Sequence, residues 1–387
     1  MRIIQTTTSL APEYGGPARS VPALSVELAK LGNRVTVLSL NLNGFSQAKD
    51  LPVHSELDYV SLPVSLQVKM RPLLIPSYER TMLSLVRDEK DLLIHDNGIW
   101  LPYSGIIHRI ASRYNLPVIT STRGMLEPWA MKFGKYRKLA AWILFQRRRL
   151  ARSAVLHATS REEAKHLRDL GLSNPVAVLP NGTAVPDLST VPDLEPKEEK
   201  TLLFLSRIHP KKGLLNLVRA IEILQPFGWR VIIAGYDEGG YWDLIKKRIQ
   251  QSNLERFFDY IGPISDQEKW SWYKQADLFI LPSFSENFGL VVAEALASKT
   301  PVITTRGTPW KDLIDYNCGW WIEPEIPDLV DCLQQAFMVE SRVLKQMGEN
   351  GRRLVEEKYS WSVIAARLDA VYDWVLKDFP RPPEVII

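Results

Sequence analysis

The chain has 387 residues, 45% of them apolar and 24% charged, with a formal net charge of +4. That length exceeds one ordinary core, at roughly 100 to 200 residues per domain, so two domains are expected, and the composition excludes a disordered or collagen-like chain. No stretch approaches the roughly 18 apolar residues of a spanning helix, and Met1-Arg2-Ile3-Ile4 passes straight to Gln5-Thr6-Thr7-Thr8 with no leader-like apolar region, so a cytoplasmic protein is expected.

Met1 to Thr7 reads as a strand running into a loop, Ser9 to Pro17, that contains Gly15-Gly16-Pro17. Apolar residues at Val21, Leu24, Val26, Leu28 and Leu31 then predict a helix from Ala18 to Leu31, stopped by Gly32, and RVTVLSL from Arg34 to Leu40 is the next strand. Further strands are predicted at Asp91 to His95, Leu116 to Ser121, Ala154 to Thr159 and Pro175 to Leu179. Helices at Tyr103 to Tyr114, Gly134 to Ala151 and Arg161 to Leu170 separate them. Such alternation is the pattern of a parallel, doubly wound sheet.

A segment with Pro186, Pro192 and Pro196 and several acidic residues reads as a linker. Alternation restarts with strands at Thr201 to Ser206, Arg230 to Ala234, Phe258 to Ile261, Leu278 to Pro282 and Pro301 to Thr304, and a last helix spans Trp361 to Leu376. Two Rossmann-like domains follow, 1–190 and 191–360, and the crevice between two such sheets is a common ligand site. Cys318 and Cys332 have neither paired spacing nor nearby histidines and read as small buried hydrophobes. Residues 1–190 carry a net +9 and the remainder −5, so the first half is expected to meet something anionic.

The chemistry concentrates in two stretches. SRIHPKKG, Ser206 to Gly213, sets Arg207 and Lys212 in a turn directly after an apolar strand. Strand, cationic turn and helix together form a diphosphate cradle. SENFGLVVAEALASKTPVI, Ser285 to Ile303, places Glu286 and Glu294 on either side of a glycine turn. A carboxylate on the following helix suits ribose hydroxyls. A solvated turn and two ordinary helix glutamates are the plainer alternatives.

With the Gly-Gly loop after the first strand and the closing YSWSVIAARLDAVYDWVL, these motifs resemble the retaining GT-B glycosyltransferases, often called family 4, over nearly the whole chain. The resemblance implies two Rossmann-like domains around an interdomain cleft, with helix 361–387 crossing back to pack on the first. It implies transfer of a hexose from a nucleoside diphosphate sugar to a saccharide or lipid-linked saccharide acceptor in envelope or exopolysaccharide assembly, with no metal or other cofactor; no Asp-x-Asp occurs in the chain. UDP-glucose is the expected donor. A sugar-nucleotide 2-epimerase and a non-catalytic nucleotide-sugar-binding protein of the same shape are the alternatives.

By family position, Arg207 and Lys212 grip the pyrophosphate and stabilise the charge that grows on the outer phosphate, Glu286 contacts the transferred sugar, and Glu294 takes the ribose hydroxyls. Asn287, Phe288, Gly289 and Leu290 offer backbone amides at a helix start, and Gly15 and Gly16 let the backbone approach the outer phosphate. Ile264, after Tyr260-Ile261-Gly262-Pro263, is the nominee for base recognition through its backbone, which leaves uracil against guanine open. Many members carry a His after the fourth predicted strand, where this chain has Arg123 in STRGMLEPW. His95 in IHDNGIWLP ends the preceding strand, so Arg123 and His95 are the two candidates for an acceptor-side residue.

Residues 132–152, KFGKYRKLAAWILFQRRRLAR, hold eight basic and no acidic residues interleaved with aromatic and aliphatic ones. They read either as a helix peripheral to an anionic membrane, at the inner face of the cytoplasmic membrane, or as a core helix with solvated basic ends. Nucleic acid is not expected as a partner.

Overall fold

The structure, a computed structural model, describes residues 1–11, 14–42, 51–64, 76–87, 89–101, 103–132, 134–377 and 379–387. It divides into two units, Met1–Gly182 with Trp361–Ile387, and Thr183–Ser360. The boundary lies eight positions before residue 190 for a physical reason: the proline-rich segment is tied to the second unit. Thr183 bridges Ser360, Arg352 donates to the Pro186 carbonyl at 3.0 Å, and Lys274 donates to that of Val191 at 2.9 Å.

The first unit is built on β1 (Arg2–Thr6), β2 (Arg34–Leu42), β3 (Leu57–Val64), β4 (Leu92–Asn97), β5 (Val118–Ser121), β6 (Val155–Ala158) and β7 (Val176–Val178). The second follows with β8 (Lys200–Leu205), β9 (Trp229–Ala234), β10 (Phe258–Gly262), β11 (Leu278–Leu281), β12 (Val302–Thr305) and β13 (Gly319–Ile322), and the short β14 (Val385–Ile386) returns to the first. Sheet order is β14-β7-β6-β5-β4-β1-β2-β3 in the first unit and β10-β9-β8-β11-β12-β13 in the second. Pairing is parallel except for β14, which runs antiparallel to β7.

These strands are apolar on both faces, as sheets covered on both sides must be. Ile3 packs with Val21, Leu24 and Leu28 of helix Gly16–Lys30 and with Ile364, Leu368 and Val371 of helix Trp361–Lys377. Its neighbour Ile4 points to the other face, among Tyr78, Met82 and Ile107. Asn33 fixes the last helix to the first through Asp369 at 2.8 Å. The second unit closes around one cluster that includes Phe204, Phe279, Val292, Ile303 and Trp310. Both cysteines are buried there, and burial pushes each thiol up to about 12.

In each sheet the strand order reverses once, between β1 and β4 and between β8 and β11. Loops leaving the carboxyl ends of those strand pairs diverge to opposite faces and leave a crevice, where open α/β sheets bind ligands. The predicted helix Gly134–Ala151 is interrupted: helix Lys135–Ala141 passes through a wide π-type turn, Trp142–Gln146, before Arg147–Leu150. Residue 133, in the basic stretch 132–152, lies outside the described residues.

Candidate functional site

In the second unit β8 and β11 are hydrogen-bonded neighbours, so Ser206–Gly213 and Ser283–Gly289 leave the sheet side by side. The Phe284 amide donates to the Lys211 carbonyl at 2.9 Å. Lys212 sits in a tight turn, Pro210–Lys212, whose start is capped by His209 accepting from the Lys211 amide at 3.1 Å. Gly213 ends that turn at φ 71°, and a Cβ there would lie 1.9 Å from the Pro282 carbonyl oxygen. Glycine is thus required twice over, by conformation and by the approach of the two loops.

That approach brings together two of the expected residues. Lys212 Nζ pairs with Glu286 Oε1 at 2.5 Å, their side chains only 10% and 12% exposed. Ser283 Oγ lies 2.8 Å from the same carboxylate oxygen, and the Glu286 amide donates to the Gly307 carbonyl at 2.7 Å. A charge-assisted bond so shielded from water is strong and fixes both groups. Ser283 was not foreseen; its only trace in the sequence is its place two residues past a strand at a helix-bound loop.

The remaining expected residues have other partners. Arg207 is half exposed and paired with Glu238 at 2.8 Å, on the loop after β9. Glu294, on helix Leu290–Ala297, accepts from Lys269 Nζ at 2.7 Å and from the Tyr273 hydroxyl at 3.0 Å. Gly289 caps that helix at φ 80°, and Asn287 and Leu290 are half-buried on either side of Phe288 and Gly289. Phe288 belongs to the core: its ring packs on Trp310 and Tyr359, and its carbonyl accepts from the Trp310 indole at 2.6 Å. Ile264 follows β10 at the sheet edge, separated from β8 by β9.

In the first unit Gly15 caps helix Gly16–Lys30 at φ 87°, and a Cβ on Gly15 or Gly16 would meet nothing within 4 Å. Internal packing therefore makes no demand for glycine at position 16. His95, one of the two acceptor-side candidates, lies in β4. It is fully buried within the sheet, between Tyr372 Oη at 2.5 Å and Ser121 Oγ at 2.6 Å, and burial drives its pKa well below the ordinary value. Both of its ring nitrogens are thus engaged inside the fold.

Arg123, at the carboxyl end of β5, holds a left-handed backbone with φ 49°. Its guanidinium donates to Asn97 Oδ1 at 2.5 Å and Ser20 Oγ at 3.0 Å, while the buried Nε has no partner. Burial lowers its pKa to about 10, which leaves it charged at neutral pH. Asp96, which the sequence reading passed over, accepts from Thr6 Oγ1 at 2.7 Å across the β1/β4 reversal, and burial raises its carboxyl to about 6. Nothing in its sequence context distinguishes it from any polar residue at a strand end.

Along residues 134–152 the buried side chains are Trp142, Gln146 and Leu150. Tyr136, Ile143 and Leu144 are 85%, 72% and 77% exposed, among exposed basic residues such as Lys135, Arg137, Arg147 and Arg148. Among the described residues no helix is long and apolar enough to cross a membrane.

Residues 15–182 match the family model for the glycosyl transferase 4-like domain, and residues 190–354 that for glycosyl transferases group 1. An uncharacterized glycosyltransferase of Methanocaldococcus jannaschii is 32% identical over 183 residues, 45% of each chain. The phosphatidyl-myo-inositol mannosyltransferase of Mycobacterium tuberculosis is 27% identical over 214 residues, 53% of this chain and 55% of that one. The chain spans about half the length of the curated relatives it matches. Among solved structures, sucrose-phosphate synthase from Thermosynechococcus elongatus is similar with a TM-score of 0.75 at 20% identity, covering 98% of this chain and all of that one. HepE from Anabaena, in complex with UDP and glucose, is similar with a TM-score of 0.70 at 16% identity, covering 96% of this chain and 99% of that one.

Proposed function

Because the chain belongs to the GT-B glycosyltransferases of the family 4 type, we propose that it moves a hexose from a nucleoside diphosphate sugar, UDP-glucose, to a hydroxyl of a saccharide or lipid-linked saccharide, with retained configuration and no metal. The observation that carries this reading is the shielded Lys212–Glu286 pair where the loops after β8 and β11 meet. In the reaction the bond from the sugar's C1 to the outer phosphate breaks. The acceptor oxygen bonds to C1 on the same face, and its proton passes to the departing phosphate oxygen. Negative charge grows on that phosphate, and preorganised cations lower the barrier. Lys212 supplies one, and Arg207 supplies the other on leaving Glu238.

In this reading Glu286 exchanges its lysine for a sugar hydroxyl, Glu294 shares the ribose hydroxyls with Lys269, and Ile264 reads the base. The amides of Asn287, Gly289 and Leu290 line the helix start, and Gly15 and Gly16 offer backbone to the outer phosphate. Arg123 serves the sugar or the acceptor. The protein works in the cytoplasm at the inner face of an anionic membrane, where residues 132–152 bring it to a growing polysaccharide; the exposed Ile143 and Leu144 among arginines support this.

A thermal-shift panel of UDP-, GDP- and ADP-linked sugars, followed by product analysis, tests the proposal, since a ligand of the folded state raises its melting temperature. The expected result is a shift with UDP-glucose and release of UDP. An isomerised nucleotide sugar without free nucleoside diphosphate would favour the epimerase.

A further inference from the structure

The first unit contains a line of buried side chains whose hydrogen bonds can be assigned in only one direction. Arg123, which can only donate, gives an Nη2 proton to Asn97 Oδ1 at 2.5 Å. That orients the Asn97 amide, whose Nδ2 donates to Gln5 Oε1 at 2.7 Å and to the His95 carbonyl at 3.2 Å. Gln5 is then oriented in turn, and its Nε2 donates to Tyr372 Oη at 3.2 Å, with His95 Nδ1 a longer second acceptor at 3.5 Å. The Tyr372 hydroxyl passes its own proton to His95 Nδ1 at 2.5 Å. His95 carries its proton on Nε2 and donates to Ser121 Oγ at 2.6 Å, and Ser121 donates to His157 Nδ1 at 2.7 Å. His157 Nε2 ends the line on the Leu179 carbonyl at 2.8 Å, a group that can only accept.

With a donor at one end and an acceptor at the other, a single assignment satisfies every member, and both imidazoles are neutral Nε2–H tautomers. Gln5, His95, Ser121 and Tyr372 are fully buried, away from bulk water. Among the described ion pairs no carboxylate holds Arg123. Its hydrogen bonds run to the neutral acceptors Asn97, Ser20 and Asn181, of which Asn97 is the nearest, while the Glu163 carboxylate acts on its charge.

We propose that Tyr372, on the C-terminal helix and 249 positions from Arg123, is a positioning residue that fixes the Arg123 guanidinium through Gln5 and Asn97. The helix Trp361–Lys377 thereby does more than cover one face of the sheet. Its docking sets the aim of the Arg123 guanidinium at the carboxyl end of β5. This rests on the reading that Arg123 serves the reaction, and the test separates the two.

In the full-length protein, a guanidinium held by fixed acceptors gives resolved Nη signals in nitrogen–proton spectra, assigned by their loss in Arg123→Gln. Tyr372→Phe keeps the ring and removes the hydroxyl. The Arg123 Nη signals should merge, His95 should lose its single tautomer, and UDP-glucose hydrolysis should fall about tenfold in kcat with little change in KM, the scale of one hydrogen bond to a charged group. Arg123→Gln should fall at least as far, and the double variant no further than Arg123→Gln alone. Unchanged Arg123 signals in Tyr372→Phe, or losses that add in the double variant, would overturn the proposal. Should Tyr372→Phe fail to fold, Gln5→Met cuts the same line one step nearer Arg123 and must merge the same signals. Merged signals with full turnover in Arg123→Gln would instead overturn the functional reading of Arg123.

Discussion

Lys212 and Glu286, 74 positions apart, form a 2.5 Å ion pair that joins the loop after β8 to the loop after β11. Each charge neutralises the other, so a diphosphate must compete with Glu286 for the lysine. This sets the first prediction. Glu286→Gln should bind UDP about tenfold more tightly, because an internal competitor is gone and the binding-competent state is more populated. It should also turn over UDP-glucose more slowly, having lost its hold on the sugar. Titration calorimetry with UDP and initial rates on the same variant check both halves. Weaker UDP binding would mean that the carboxylate assists the anion.

Arg207 is half exposed in its pair with Glu238, and such surface pairs contribute about 0 to 1 kcal/mol. Arg207→Ala should therefore melt within a few degrees of the parent. Turnover should fall about a hundredfold, as when an electrophilic stabiliser is removed. Parallel melting curves and rates separate this outcome from simple misfolding.

Two glycines should behave in opposite ways. Gly213→Ala forces a Cβ to 1.9 Å from the Pro282 carbonyl oxygen at φ 71° and should unfold the second unit or lower its melting point sharply. Gly16→Ala meets nothing within 4 Å and should fold normally, while its UDP-glucose affinity drops if the backbone there approaches a phosphate. Circular dichroism melts and a UDP-glucose titration give the comparison.

Burial lowers His157 and His108 to about 4 and holds His95 well below its ordinary value. The unfolded chain protonates these rings near the ordinary 6.5, so it binds more protons than the folded chain between about 6.5 and 4, and stability should fall as pH falls through that window. Asp96, raised to about 6 by burial, opposes this: the folded state holds its proton more tightly, so stability rises as pH falls from about 6 toward its ordinary value. Asp96→Asn should therefore steepen the acid-side loss. Urea denaturation from pH 7 to 4 measures the slope, and a shallower slope would contradict the sign.

The exposed tip at Ile143 and Leu144 should contribute to membrane binding separately from the surrounding arginines. Replacing both with Ser should reduce sedimentation with phosphatidylglycerol-containing vesicles even at low salt, whereas charge-driven binding alone fades as salt screens it. Sedimentation unchanged by the double substitution would leave that stretch without a membrane role.

Much of the fold was legible because parallel strands are short apolar runs bounded by turns, and most of them, from β1 to β12, stand out that way. β3 and β13 did not: Leu57–Val64 mixes Asp58, Ser61 and Pro63 into its run, and Gly319–Ile322 is two tryptophans between a Gly and an Ile. At the site, Lys212 and Glu286 were visible through their turns, but their mutual pairing was not, because side-chain partners 74 positions apart leave no local pattern. The same holds for Glu238 beside Arg207 and Lys269 beside Glu294. The enclosure of His95 was not legible either, because a polar residue at a strand end looks identical whether it faces a ligand or closes a buried network.

The assigned role of Lys212 is tested most directly by UDP release from UDP-glucose by the parent protein and by Lys212→Ala, measured at saturating donor. It predicts release by the parent and a loss of about a hundredfold in the variant, the range expected when a preorganised cation is removed from a departing phosphate. Release at the parent rate by Lys212→Ala would contradict it.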